Sequence, residues 1–344
     1  MRIGFRLDAS RELGTGHLMR CRALARGLRR RGADIFFFCR DLPGWMIREL
    51  DTDGFHYVPL DGGRDEVECL IDRLTSCSGS PFDWLVVDHY GWEERQESAV
   101  APYVRRLMVI DDLANRTHYC HMLLDQNDEY PNRDRYHGLV PHFARLLLGC
   151  RNALLREEFA VSRTSMKRRN GRVCTLFVCF GGSDPTNETA KALEAIDDAA
   201  FAELNVHVVV GRSHSRIEQI VNRCQSDPRI RIHVQSNQIA KLMAESDLAI
   251  CAGGTMTWER YCMGLPALVI AVADNQVEVA KSGERAGVDR YLGKSEQVGV
   301  ELIRSTLREA MNDTGWLRHA ECTAMEKVDG MGVDRVVNAM FEAG

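Results

Sequence analysis

The residue types that could do chemistry in this 344-residue chain sit where short apolar runs end in glycine. The opening is the first such place: Arg2-Ile3-Gly4-Phe5-Arg6-Leu7-Asp8-Ala9-Ser10, then Gly14-Thr15-Gly16-His17. Glycines after a strand let the backbone approach a ligand closely. The helix start behind them offers unpaired N–H groups to an anion. A histidine placed there can orient or deprotonate a water near neutral pH. A plain βα turn with a surface histidine is an equally open reading of these residues alone.

Two further glycine turns follow in the second half. Phe180-Gly181-Gly182-Ser183-Asp184-Pro185-Thr186 ends a strand in paired glycines and continues with helix-capping residue types. The helix behind could cradle a phosphate, or the segment is a simple capped turn; it is neither a Walker A loop nor a dinucleotide fingerprint. Ala252-Gly253-Gly254-Thr255-Met256-Thr257-Trp258-Glu259 repeats the layout. Glu259, on the first turns of its helix, is placed to accept from both hydroxyls of a ribose, unless it is only a solvated or dipole-facing carboxylate. Gly264-Leu265-Pro266 and an apolar run lead to Ala273-Asp274-Asn275-Gln276, a polar loop at the carboxyl end of a strand, where open α/β sheets bind ligands.

The elements that must hold these residues alternate. Strands are expected at 2–7, 33–39, 84–88, 107–111, 122–125 and up to 148, with helices at 18–31, 46–50, 66–75 and 93–100. Such alternation predicts a parallel, doubly wound sheet. Residues 153–170 are charged and end Lys167-Arg168-Arg169-Asn170-Gly171, the best domain boundary. The pattern then restarts, with strands at 173–180, 205–210, 230–233, 248–251 and 267–271. Helices fall at 186–195, 217–223, 239–246, 258–263 and 277–286. Two Rossmann-like halves of similar size are expected, residues 1–160 and 161–344. The terminal helices, 300–312 and 333–341, could close over the second half or pack back on the first.

Composition excludes several classes. Net charge is −5 and the pI is near 6.1, which argues against nucleic-acid or membrane-surface partners. No apolar run approaches the length of a membrane span, and the N-terminus lacks the layout of a signal peptide, so the cytoplasm is expected. Twelve cysteines include no Cys-x-x-Cys pair. Cys174, Cys179 and Cys251 read as small apolar residues in strands. His118, Cys120 and His121 lack a second ligand pair for zinc. Asp111-Asp112 suit a turn cap better than a metal, and Arg29-Arg30-Arg31 reads as a solvated helix end.

Taken with Val87-Asp88-His89-Tyr90-Gly91, Leu123-Leu124-Asp125-Gln126-Asn127, Leu154-Leu155-Arg156-Glu157-Glu158-Phe159, Asn237-Gln238-Ile239-Ala240-Lys241-Leu242-Met243 and the Gly16-His17…Arg20 turn, the glycine motifs carry a resemblance. The donor half resembles MurG-like glycosyltransferases of the GT-B fold, two Rossmann-like domains whose parallel sheets face an interdomain cleft. The whole from Arg6 to about Gln276 is similar to the UDP-sugar hydrolases of pseudaminic acid biosynthesis (the PseG type).

That resemblance implies hydrolysis of a UDP-linked 2,4-diacetamido-2,4,6-trideoxy-β-L-altropyranose at its anomeric carbon, with inversion. It implies His17 as the residue that binds or deprotonates the water and Asn275 as its second support. Tyr90 would lie near the sugar. Gly16, Gly182, Ser183, Gly253, Gly254, Thr255 and Gln276 would line the substrate, and Glu259 would hold the ribose. Asp8 would orient the His17 region or, equally, cap the first turn. UDP is a good leaving group whose charge helix N-termini can stabilise, so neither metal nor other cofactor is expected. The family suggests a monomer. A MurG-like transferase and a non-catalytic nucleotide-sugar binder remain the alternatives.

Overall fold

The computed structural model describes residues 1–8, 16–40, 42–77, 79–127 and 134–343. Ala9, Ser10, Gly14 and Thr15 of the first motif lie outside them.

The first half lays down strands β1 (Arg2–Leu7), β2 (Asp34–Cys39), β3 (His56–Pro59), β4 (Trp84–Asp88), β5 (Leu107–Ile110), β6 (Met122–Asp125) and β7 (Arg145–Leu148). Between them run helices α1 (Gly16–Arg30), α2 (Gly44–Thr52), α3 (Glu66–Ser76) and α4 (Glu94–Val100). All seven strands are parallel, in the order β3-β2-β1-β4-β5-β6-β7. The central strands are buried on both faces, as helices on each side of a parallel sheet require. Phe5 stacks on Phe37 across β1 and β2, with ring centroids 5.0 Å apart.

The second half holds α5 (Glu157–Ser165), α6 (Glu188–Ala195), α7 (Ile217–Gln225), α8 (Ile239–Ala244), α9 (Met256–Cys262), α10 (Val277–Arg285), α11 (Val300–Asn312), α12 (Thr314–Lys327) and α13 (Gly332–Glu342). Its strands are β8 (Thr175–Cys179), β9 (Asn205–Val210), β10 (Ile230–Val234), β11 (Leu248–Ala252), β12 (Ala267–Ala271) and β13 (Asp289–Lys294). They form a parallel sheet in the order β10-β9-β8-β11-β12-β13. Strand order therefore reverses between β1 and β4 in one sheet and between β8 and β11 in the other. Those reversals are the switch points at which such sheets open a crevice.

The chain divides into Met1–Arg156 with Met331–Gly344, and Glu157–Gly330, rather than at residue 160. The terminal helix α13 belongs to the first unit because Gly27 of α1 leaves room for it. A Cβ at Gly27 would stand 2.4 Å from Val333 Cγ1.

Several sequence expectations need correction. The charged stretch 153–170 does contain the boundary between the units, but most of it is tied down. Arg163 donates to the carbonyls of Cys262, Met325 and Val328, and Arg169 to those of Met243, Ser246, Met263 and Gly264, so the cations cap helix ends within the second unit. Arg29 binds the carbonyls of Asp53 and Gly54, and Arg31 binds Asn338, so that run docks neighbouring helices rather than only facing solvent. Cys174 precedes β8 and is exposed. The edge strands β3 and β13 went unseen because half-buried, polar edges carry no continuous apolar run. Helix α12 buries Leu317, Ala320, Glu321 and Ala324, a stripe of mostly small residues with a weak periodic signal.

Candidate active site

In the first unit the chemistry gathers at the β1–β4 switch point. Parallel pairing sets Leu7 opposite Asp88, so the carboxylate ending β4 meets the helix that follows β1. His17, Arg20 and Cys21 lie on one face of α1, at i, i+3 and i+4, and all three touch that carboxylate. His17 Nδ1 is 2.7 Å from Asp88 Oδ1. Arg20 grips the same group with Nε on Oδ2 at 2.7 Å and Nη2 on Oδ1 at 2.5 Å, and Cys21 Sγ donates to Oδ2 at 3.3 Å. Asp88 is 1% exposed.

Burial opposes the charge on Asp88, but Arg20 and then His17 outweigh it and hold the carboxyl well below its usual range. An ionised Asp88 can only accept, so Nδ1 of His17 carries the shared proton. The Nε2 lone pair is then the basic position of the ring.

Tyr90 packs edge-on against His17, with centroids 4.7 Å apart and planes at 82°. Its hydroxyl donates to Asp112 Oδ2 at 3.3 Å, and Arg20 Nη1 donates to the same oxygen at 3.1 Å. Burial, with Asp112 adding to it, pushes the phenol well above its ordinary range, so Tyr90 remains a donor. Gly16 opens α1 directly before His17.

Asp8 is committed elsewhere. Arg6 sits fully buried in β1 and holds both Asp8 oxygens at 2.7 Å, while His89 Nε2 and the Arg40 amide supply further bonds. Burial would raise this carboxyl, yet His89 and Arg6 depress it far below the usual range. It fixes the carboxyl end of β1; Asp88 is the residue that orients His17. Asp111 caps a turn through the Ala114 amide, and Asp112 instead faces Arg20 and Tyr90. His118 is spent on Glu97, at 2.8 Å.

The second unit gathers its glycine turns at the β8–β11 switch point. Gly181 has φ +88°, and Asp184 and Asn187 take the left-handed region at +39° and +60°. Such strain in non-glycine residues concentrates at functional turns. Asp184 is buried and accepts from the amides of Glu188 and Thr189, both at 2.9 Å, and from His214 Nε2 at 3.3 Å. The first amides of α6 are thus taken by a carboxylate, which caps that helix end. Gly182 and Ser183 remain outward on the turn. Ser213 Oγ donates to the Gly182 carbonyl at 2.9 Å.

Gly211 lets the loop after β9 close on this turn. A Cβ there would stand 2.3 Å from Gly182 O. Gly211→Ala is therefore expected to cost about 1–3 kcal/mol, the range for forced overpacking. Urea unfolding would measure it, and a wild-type midpoint would disprove the constraint.

After β11, Gly253 is buried, Gly254 half-buried and Thr255 exposed, with Glu259 half-buried on the first turns of α9. Asn275 is exposed on the short turn after β12. Gln276 braces that turn: its Oε1 accepts from the Val272 amide at 3.1 Å, and its backbone oxygen lies 3.2 Å from where a Gly253 Cβ would be.

Each unit thus brings its own predicted residues to one sheet end. Arg20 and Asp88 stood in quoted motifs but were given no role from sequence, and Asp112 was read as a turn cap, although the i, i+3 spacing of His17 and Arg20 and the Asp ending Leu85-Val86-Val87-Asp88 were visible signals.

Residues 175–331 match the family model described as the glycosyltransferase family 28 C-terminal domain. The crystal structure of Acinetobacter baumannii MurG superposes with a TM-score of 0.65 at 14% identity, covering 99% of each chain. The protein therefore has the two-sheet GT-B architecture, and its second unit resembles a family 28 domain. More particularly, it is 25% identical over 280 residues to the UDP-2,4-diacetamido-2,4,6-trideoxy-beta-L-altropyranose hydrolase of Campylobacter jejuni, covering 81% of this chain and 95% of that one. It is also 25% identical to the spore coat polysaccharide biosynthesis protein SpsG of Bacillus subtilis over 340 residues, 98% of this chain and 96% of that one. No helix among the described residues is long and apolar enough to cross a membrane.

Proposed function

We propose that this protein hydrolyses a UDP-sugar at the anomeric carbon, with inversion, releasing UDP and the free 2,4-diacetamido-2,4,6-trideoxy-β-L-altropyranose. The observation that carries the reading is the His17–Asp88 pair, which leaves Nε2 as a base for water. Similarity to a hydrolase over 95% of that enzyme's length supports water as the acceptor. In the reaction the water oxygen bonds to the anomeric carbon as His17 Nε2 takes its proton. The bond from that carbon to the β-phosphate oxygen breaks, and UDP leaves with the electron pair. Asn275 is assigned the second hydrogen bond to the water.

Gly182, Ser183, Gly253, Gly254 and Thr255 are assigned the nucleotide and its phosphates, with Glu259 on the ribose. Gly16, Tyr90 and Gln276 are assigned contacts to the substrate, Tyr90 on the sugar side. Asp8 serves this site by fixing the end of β1. In this reading the enzyme is a monomer of the cytoplasm in pseudaminic acid biosynthesis, acting without a metal.

A second reading, transfer of the sugar to an alcohol acceptor, is favoured by the family 28 match. The test is UDP release without any acceptor, from the altro-configured UDP-sugar and from UDP-GlcNAc, with the product anomer read by NMR. Rapid inverting release from the first alone is expected. No turnover of either, with UDP still bound, would overturn hydrolysis.

A further inference from the structure

Arg20 is buried and charged, and it lies beside the proposed base and its carboxylate partner. Its guanidinium spans two carboxylates: Nε and Nη2 hold Asp88, and Nη1 reaches Asp112. Only 4% of it is exposed. Nη2 also lies 3.2 Å from His17 Nδ1. Among the described residues, the groups facing His17 are then Arg20 and Cys21 from α1, Asp88 and Tyr90 from the end of β4 and the loop after it, and Asp112 after β5. Asp8 and His89, next to these, are bound to each other. Tyr90 and Cys21 are held neutral by burial and the nearby carboxylates. Among the described residues, the local charge without His17 is two carboxylates against one guanidinium.

We infer that Arg20 is a positioning residue that keeps His17 in its basic form, by neutralising Asp88 and Asp112 beside the ring. Buried carboxylates next to an imidazole favour its protonated state, which cannot take a proton from water. With Arg20 in place, Asp88 still orients Nδ1–H while most of its field is cancelled. Without Arg20, two uncompensated negative charges would hold His17 as imidazolium. The sign follows directly: loss of Arg20 shifts His17 titration to higher pH, so activity falls at neutral pH and returns as pH rises. Loss of the Asp88 charge shifts it to lower pH.

The inference rests on His17 being the base, but its test does not need turnover. Imidazole 1H–15N correlations of the full chain can follow His17 across pH, its signal assigned by its absence in His17→Gln. In Arg20→Gln the His17 titration is expected to move up by about one pH unit or more, a tenfold smaller basic fraction at pH values below its transition. Asp88→Asn is expected to move it down, and the double variant to lie between the two. The pH profile of kcat/KM should show the same displacement on its acidic limb, with its high-pH plateau kept. An unmoved His17 titration in folded Arg20→Gln would leave Arg20 a purely structural residue and overturn the inference. Should that variant not fold, Asp88→Asn and the double variant decide. Equal His17 titrations in those two would overturn it, and a lower one in Asp88→Asn supports it. If wild type shows no hydrolysis, the proposed function fails while these titrations still judge Arg20.

Discussion

His17→Gln is expected to slow UDP release by about 10²–10⁴-fold, the usual worth of a positioned general base, and to leave UDP affinity unchanged. Glutamine keeps an amide that can donate to Asp88, so the end of α1 stays in place. It has no basic nitrogen to take the proton. The nucleotide is assigned to turns of the other unit, Glu157–Gly330. His17→Leu should lose the same activity and in addition leave Asp88 without the imidazole bond. Steady-state UDP release and calorimetric titration with UDP separate the two effects. Turnover within tenfold of wild type, or UDP affinity lost together with activity, would show that His17 is not the base.

Asp289→Ala is expected to be the most damaging change to stability. Asp289 starts β13 and is 3% exposed. It forms an ion pair with Arg260 Nη1 at 2.8 Å and accepts hydrogen bonds from Arg260 Nη2 at 2.9 Å and from Tyr261 OH at 2.9 Å. Arg260 is fully buried and also donates to the Leu265 carbonyl. Removing the carboxylate strands a guanidinium in the core, which costs about 3–5 kcal/mol. For a unit of this size that lowers the unfolding temperature by roughly 10 °C.

The damage should reach the site, because Arg260 stands on α9 beside Glu259 and one turn past Thr255. UDP affinity is therefore expected to fall with stability, unlike in His17→Gln. Replacing the pair together, Arg260→Met with Asp289→Leu, should recover part of the loss, since no buried charge is left alone. Scanning calorimetry measures both variants. A cost under 1 kcal/mol for Asp289→Ala would mean that the buried pair is not what anchors α9 to β13.

Much of the site was legible because its signals are local. A strand followed by Gly16-His17, and the two Gly-Gly turns, declare βα junctions through residues next to one another in the chain. The partner of His17 was not legible in the same way. Asp88 lies 71 residues away, and only the β1–β4 pairing makes it a neighbour. Asp8, much nearer in sequence, was the natural candidate to orient His17. It is captured by Arg6, whose guanidinium lies buried in the same strand two residues earlier. The capping of the helix behind Ser183 was hidden for a related reason. Which capping residue turns inward depends on backbone geometry, here the left-handed Asp184, that residue types do not reveal.

The sequence by itself determined the alternation of strands and helices, the parallel sheets, and the glycine turns and histidine at their carboxyl ends. Those follow from periodicity and turn chemistry acting within a few residues, as at β12, whose five residues match the apolar run at 267–271. Tertiary structure alone decided strand order, the return of α13 to the first unit, the use of arginines 163 and 169 to tie down the charged segment, and the choice of Asp88 and Arg20 as the companions of His17. Each of these is a long-range competition among carboxylates, carbonyls and cations for burial and partners, and only the assembled sheet fixes which of them meet.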